Sequence, residues 1–475
     1  MGRFAVSARI GAVLLTTMGV AAVASPAQAA TTGVATLPYT GEVRFTAGAK
    51  AANRLVITFS GRTVTLDDAV RIKAGKGCKP VKGDTTKVRC VFPSPYDGNG
   101  SVSVALGDRG DSVVNRSNLV LKAHGGSGDD SIQGGGRNDL LHGDSGKDRI
   151  WGHGGRDNIE GGSGADKLAG GAGIDGISGG TSGDVLYGGD DNDRLDGNSG
   201  NDTLHSGAGN DYLNGGTGAD TIRGGSGIDY ASYWNRREAI FADLDGRTGD
   251  DGAKGERDTI AADVEGVEGG LGNDILTGNG GANRIIGGSG GDRLTGGGGN
   301  DQLLGAGGKD QLDGGTGDDS LKPDFAETES GDDGPYVFDP IAADVVRGGS
   351  GIDTVDYSDR QRNPVTVDLD GRSGDDGRAG EGDSVGADVE NVRGTIYGDT
   401  LTGSGSANEL RGGGGNDVIA GLGGADRLFG DEGDDDLSGQ DPAGDQGDHL
   451  DGGSQYTSGD LCRAFPLDVV VNCER

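Results

Sequence analysis

Residues 125–169 read GGSGDDSIQ GGGRNDLLH GDSGKDRIW GHGGRDNIE GGSGADKLA, five nine-residue units without an insertion. The phase holds for twelve units, from Gly125 to Ser232. The sixth place is aspartate in all of them: Asp130, Asp139, Asp148, Asp157, Asp166, Asp175, Asp184, Asp193, Asp202, Asp211, Asp220 and Asp229. The eighth is Ile or Leu from Ile132 to Ile222 and becomes Ala231 only in the last unit. Self-similarity at a short fixed period marks a solenoid. Glycines at the first, second and fourth places permit positive φ and close backbone approach, so six residues form a tight arc. The last three form a minimal strand whose middle side chain points opposite to its neighbours. Ile or Leu then faces inward, and two units, eighteen residues, close one turn.

Composition agrees that the interior is not conventional. With 102 glycines, 32% hydrophobic and 4% aromatic residues, the chain lacks the apolar mass for an ordinary core of its length. Eleven prolines and no three-residue period exclude collagen. A formal charge of −34 suits disorder, but disorder requires no strict period. One aliphatic side chain per nine residues offsets little of the entropy of fixing nine backbones, with glycine at the costly end. Alternate aspartates such as Asp130 and Asp148 also stack on one edge as like charges. A cation between them is required. Carboxylate and peptide carbonyl oxygens are hard donors that suit Ca²⁺, whereas Mg²⁺ demands stricter octahedral geometry. Folding and metal binding are expected as one event.

The motif GGxGxDxUx, standing as Gly161-Gly162-Ser163-Gly164-Ala165-Asp166-Lys167-Leu168-Ala169, resembles the repeats-in-toxin (RTX), or haemolysin-type calcium-binding, family. The resemblance implies an all-β fold, a parallel β-roll or β-solenoid. It also implies multiple Ca²⁺ ions held between same-side arcs by the sixth-place Asp and glycine-turn carbonyls. The overall layout resembles secreted calcium-binding repeat proteins of actinobacteria.

The period returns at residues 269–322 with Asp274, Asn283, Asp292, Asp301, Asp310 and Asp319. It returns once more at Asp353, within 348–393, and over 394–451 with Asp399, Asn408, Asp417, Asp426, Asp435 and Asp448. Asn keeps an oxygen but not the charge, so the sites at Asn283 and Asn408 are expected to be weaker. Two inserts separate the arrays, at 233–268 and within 348–393, and they are copies. ADLDGR at 242–247 matches VDLDGR at 367–372, and DVEGV at Asp263 matches DVENV at Asp388. Each reads as a hairpin-like excursion with an acidic loop, Thr248 to Gly252 and Ser373 to Gly377. Such a loop either binds calcium separately or is a solvated turn, the latter favoured because the later EF-hand ligands are out of place. Residues 323–347 read as an acidic loop.

Residues 1–29 read as an export signal: Arg3 and Arg9, an apolar run from Ile10 to Ala24, then Ala27-Gln28-Ala29. No other segment approaches a membrane span, and an extracellular protein, monomeric, is expected. Residues 30–122 lack the repeat and alternate as short strands, as in Leu55 to Phe59, making a β cap for the first coil. Residues 452–475 are expected to cap the other end. Cysteines fall in two close pairs, Cys78 with Cys90 and Cys462 with Cys473; of three connectivities, pairing within each is expected.

Catalytic patterns arise from composition alone. Gly287 to Gly291 satisfies GxSxG, but within an arc rather than between strand and helix. Arg109-Gly110-Asp111 reads as part of a degenerate turn, and five scattered histidines offer no HExxH. No enzyme is expected. An enzyme with a calcium-binding tail, for instance one modifying polysaccharide, has little room outside the repeats. An adhesin holding cell-surface glycan or protein on the inserts is the other alternative. With 76 acids against 42 bases, nucleic acid is not an expected partner.

Overall fold

The computed structural model describes residues 32–38, 41–93, 98–324, 342–358, 363–439, 447–454 and 459–473. The predicted export signal lies outside them. Every regular element among these residues is a β-strand, and no helix is long and apolar enough to cross a membrane. Strands of consecutive units alternate between two faces. Within a face they pair in parallel with an offset of eighteen residues, as Ile132 beside Ile150 and Leu141 beside Ile159. The result is the expected parallel β-solenoid. Eighth-place side chains from Ile132 to Ile222 stack between the faces and are buried, while their strand neighbours alternate toward solvent.

The two faces differ in continuity. One is a single sheet running from the N-terminal cap to Val469–Val471. The other is broken into three sheets, and the breaks fall at the two inserts. In the first insert, Ile240–Asp243 pairs antiparallel with Gly252–Ala253 and parallel with Ile275–Thr277, beginning a new sheet. The hairpin returns to place Thr259–Ile260 on Thr221 and Ile222, the last rung of the old one. The second insert repeats this with Val365–Asp368, Gly377–Arg378 and Ser384–Val385. Meanwhile Tyr230–Ser232 passes directly to Gly266–Glu268 on the unbroken face.

The roll begins earlier than the glycine pattern does. Ser101–Asp108 already pairs in parallel with Val120–Ser127, and Ser112–Asn115 with Ser131–Gly135. Aliphatic residues at inward positions suffice there without glycine arcs: Val102, Val104, Val113 and Leu121 are all buried. The cap proper is an antiparallel extension, Arg54–Ser60, Thr63–Asp67, Asp84–Val91 and Cys78–Val81 in that order. Disulfides join Cys78 to Cys90 and Cys462 to Cys473, the expected local pairing. Part of the stretch read as an acidic loop also belongs to the roll, since Val345–Ser350 pairs with Gln311–Thr316.

Candidate metal centre

The sixth-place aspartates are almost fully buried and form files along both edges of the roll. Each file is strung by one repeated bond: the backbone N–H of one aspartate donates to Oδ1 of the aspartate a turn later. Asp130 N–H meets Asp148 Oδ1 at 2.7 Å, and Asp148 N–H meets Asp166 Oδ1 at 2.7 Å. Along the interrupted face the first file runs Asp111, Asp130, Asp148, Asp166, Asp184, Asp202, Asp220, Asp258. Along the unbroken face it runs Asp139, Asp157, Asp175, Asp193, Asp211, Asp229, Glu265.

The middle array repeats the plan with Asp274, Asp292, Asp310, Asp344, Asp383 on one edge. Its other edge holds Asn283, Asp301, Asp319, Asp353, Glu390. The third array has Asp399, Asp417, Asp435, Asp460 and, opposite, Asn408, Asp426, Asp448, Asp468.

The second carboxylate oxygen decides what the files can hold. In mid-file Oδ2 is buried and accepts no hydrogen bond, as at Asp130, Asp148, Asp166, Asp184 and Asp202, and at Asp157, Asp175, Asp193, Asp211 and Asp229. The first-place glycine of the same unit lies against it. A methyl group on Gly161 would stand 2.5 Å from Asp166 Oδ2 and 2.5 Å from the carbonyl oxygen of Gly179, one turn on. The space glycine leaves is therefore lined by a carboxylate oxygen and a peptide carbonyl. Buried polar atoms normally find a partner, and a row of orphaned hard oxygens fits a hard cation such as Ca²⁺. Cysteine and histidine, the soft and borderline ligands, are not part of the files.

Burial pushes the carboxyls of Asp130, Asp148, Asp157, Asp166, Asp175, Asp184, Asp193, Asp202 and Asp229 far above the ordinary range, against the pull of the N–H each accepts. Carboxylates one turn away add to the push at many rungs. Asp166 and Asp184 are raised to about 6, Asp130 and Asp157 to about 7, Asp193 and Asp292 to about 8, and Asp344 to about 9. Without a counter-charge such groups resist ionisation near neutral pH.

The expected site residues do not all take this role. Asp139, Asp274, Asn283, Asp399 and Asn408 each begin a stretch of file, and here the backbone N–H four residues earlier turns in to bond the side chain. Gly135 N–H reaches Asp139 Oδ2, Gly270 N–H reaches Asp274 Oδ2, and Thr395 N–H reaches Asp399 Oδ2. Asn279 N–H and Ser404 N–H reach Oδ1 of Asn283 and Asn408, whose Nδ2 atoms donate to the carbonyls of Glu265 and Glu390. The asparagines thus stand as capping rungs at the starts of their files. Each amide both donates and accepts, which a carboxylate could not do.

Other rungs escaped the nonapeptide reading. Asp111, Asp344 and Asp460 have the same buried, unpartnered Oδ2. Each is followed two residues later by an inward residue, Val113, Val346 and Cys462, so a bare D-x-U pattern outside the nonapeptide frame was the available signal. Asp258 and Asp383 close their files differently: Tyr233 OH and Tyr357 OH donate to their Oδ2 atoms, each at 3.1 Å. The acidic loops of the inserts gather Asp243, Asp245 and Asp250, and their copies Asp368, Asp370 and Asp375, with carboxylate oxygens within 4.8 Å of one another.

Comparison with protein families finds HemolysinCabind, the RTX calcium-binding nonapeptide repeat (4 copies), in nine overlapping segments. They span 124–231, 267–321 and 393–441, the three stretches over which the aspartate files are regular. These are RTX calcium-binding repeats. The RTX segments leave out both inserts and the antiparallel cap, where glycine arcs are missing although the rungs continue. No curated protein matches the chain, and its likeness in layout to actinobacterial secreted proteins is not borne out.

Proposed function

We propose that this RTX chain is a secreted, non-enzymatic protein that folds around calcium outside the cell and serves there as a structural or interaction element. The observation that carries the reading is the row of buried Oδ2 atoms without partners, repeated turn after turn beside glycine carbonyls. The proposed ligands are the mid-file aspartates, Asp130 to Asp229 apart from Asp139, with Asp292, Asp301, Asp310, Asp319, Asp353, Asp417 and Asp435 in the later arrays and Asp111, Asp344 and Asp460 added. Bound there, calcium supplies the positive charge that the crowded carboxylates need. Extracellular calcium sites bind at about 10⁻⁴–10⁻³ M, so low cytosolic calcium leaves the chain unfolded for export. The non-enzymatic reading is supported by where the perturbed acids lie: they are shut into arcs and strung on backbone N–H groups.

The test is calcium titration of the mature chain by circular dichroism. A coil spectrum in chelator and cooperative gain of β-structure with calcium are expected. Replacing Asp148, Asp166 and Asp184 together by Asn is expected to raise the midpoint. A chelated chain as compact and protease-resistant as the loaded one would falsify the reading. Mass spectrometry of protein recovered from the medium tests export, which requires an N-terminus near Ala30.

A further inference from the structure

The two ends of the roll are finished differently. At the N-terminal end the outermost strands are Ile72–Ala74 on one face and Cys78–Val81 on the other, each paired on one side only. They carry exposed Lys73, Lys79 and Pro80. Lysine and proline on an edge strand oppose further pairing. At the C-terminal end the outermost strands are Val469–Val471 and Leu461–Arg463, and neither has a second partner among the described residues. The first is valine throughout and exposed along its length. On the second, the charge of Arg463 is held by Asp436 at 2.7 Å.

Hydrogen-bond parity fixes what each open edge offers. In a parallel ladder one residue bonds the strand on one side, and the next residue bonds the strand on the other. Val469 N–H donates to the Asp448 carbonyl at 2.7 Å, and the Val471 carbonyl accepts from Gly452 N–H at 3.1 Å. Both residues bond back into the roll, so the N–H and C=O of Val470 point out of it. The other strand has the same parity. Leu461 N–H donates to the Asp435 carbonyl at 2.7 Å, and the Arg463 carbonyl accepts from Gly439 N–H at 3.4 Å. There Cys462 presents the outward groups. Val470 and Cys462 are also the inward positions of their strands, in register with the fully buried Leu450 and Leu437. Val470, with no further turn above it, is exposed.

We infer that a second copy of this chain covers this end, the two rolls joining end to end about a two-fold axis normal to the sheets. A dimer then replaces the monomer expected from the sequence. Such an axis reverses strand direction and keeps each face on its own side, so both edges meet their copies in one step. A strand from another protein would cover only one of them. Antiparallel pairing centred on Val470 sets that residue opposite itself, each N–H meeting the other's C=O. Its side chain meets the partner's Val470 on the inner side, and the apolar column runs on into the second roll. Cys462 stands in the same relation on the opposite face.

The flanking positions are compatible. Val469 comes opposite the partner's Val471, Asp468 opposite the partner's Asn472, and Leu461 opposite the partner's Arg463. No like charges meet across these pairs. The Cys462–Cys473 bridge ties one edge strand to the chain just past the other, so the two edges are presented as one surface. Because the N-terminal edges are blunted, the contact is self-complementary and closes as a dimer instead of growing into a filament. It depends on the folded end and not on how many ions the roll holds. Two short strands make a small contact, in the class below about 1,200 Å², and a weak, concentration-dependent dimer is expected.

Sedimentation velocity of the full mature chain in saturating calcium tests this, from about 1 μM to 1 mM. A reversible monomer–dimer equilibrium with no larger species is expected. Val470→Pro removes an N–H that the roll does not use, and should weaken the dimer about tenfold or more with an unchanged circular dichroism spectrum. The pair Val469→Lys, Val471→Lys sets like charges opposite each other across the two-fold and should weaken it as much. The pair Val469→Glu, Val471→Lys sets opposite charges there and should restore it.

A monomer at every concentration overturns the inference. So does open-ended assembly, or a dimer that Val470→Pro and the lysine pair leave as tight as before. A Glu/Lys variant no tighter than the Lys/Lys one rules out the antiparallel register. Slow amide exchange at Val470 in dilute monomer would mean that another segment of the same chain covers the edge, which also overturns it.

Discussion

Gly161, at the first place of its unit, and Gly136, at the variable third place of another, are constrained very differently. Gly161 holds open the space shared by Asp166 Oδ2 and the Gly179 carbonyl, so a methyl group there overlaps both. Gly136 has nothing within 4 Å of the corresponding position. Gly161→Ala is therefore expected to destabilise the loaded protein by roughly 1–3 kcal/mol, as overpacking does, and to raise the calcium midpoint. Gly136→Ala should leave both unchanged in denaturant and calcium titrations. The buried tyrosines make a complementary case. Tyr233→Phe removes the hydroxyl that donates to Asp258 Oδ2 and leaves a buried carboxylate oxygen alone, a loss of about 1–3 kcal/mol. Because that rung is closed by a hydroxyl, urea denaturation should show the loss even at saturating calcium.

A file of aspartates behaves as one titrating element, and its sign can be worked out. The metal-free folded state raises the carboxyls of Asp184 and Asp193, for example, from 3.8 to about 6 and about 8. An acid raised in the folded state costs nothing while both states are protonated. Its penalty then grows as pH climbs from the unfolded value through the folded one. The chelated chain is thus expected to gain β-structure on acidification toward pH ~4. Its calcium midpoint should fall as pH rises through the 6–8 window, because protons must leave before the metal binds. A calcium midpoint independent of pH would contradict the burial of these groups.

The same element shows what could be read in advance. Asp130 to Asp229 were legible because glycine, aspartate and aliphatic residues recur in phase. The first rung, Asp111, was hidden inside Arg109-Gly110-Asp111 with one glycine, and Asp344 inside an acidic stretch with none before it. At both, the strand register, set by Val113 and Val346 facing inward, carries the rung without the arc. The asparagines were legible as members of the file but not as its starts. That role depends on a backbone N–H turning inward at Asn279 and Ser404, which composition does not reveal.

Across the whole molecule, one sheet is unbroken while the opposite one is cut at the inserts, so each turn is held chiefly by its neighbours. In such a quasi-one-dimensional stack, damage at an end stays near that end. The C-terminal end is the exposed one: Leu467, Val469 and Val470 are 65%, 56% and 39% accessible, although Val470 continues the inward column from Leu450. What ties the end down is Asp448 N–H on Asp468 Oδ1, the pairing of Leu461–Arg463 with Asp436–Ser438, and the Cys462–Cys473 disulfide. Replacing both of those cysteines by serine is expected to free the last turn. Amide hydrogen exchange in saturating calcium should then accelerate over 447–473, while the strands from Asn158–Ser163 to Thr203–Ala208 keep full protection. Loss of protection spreading into those central strands would mean that the stack is globally cooperative, with the terminal bridge holding far more than its own turn.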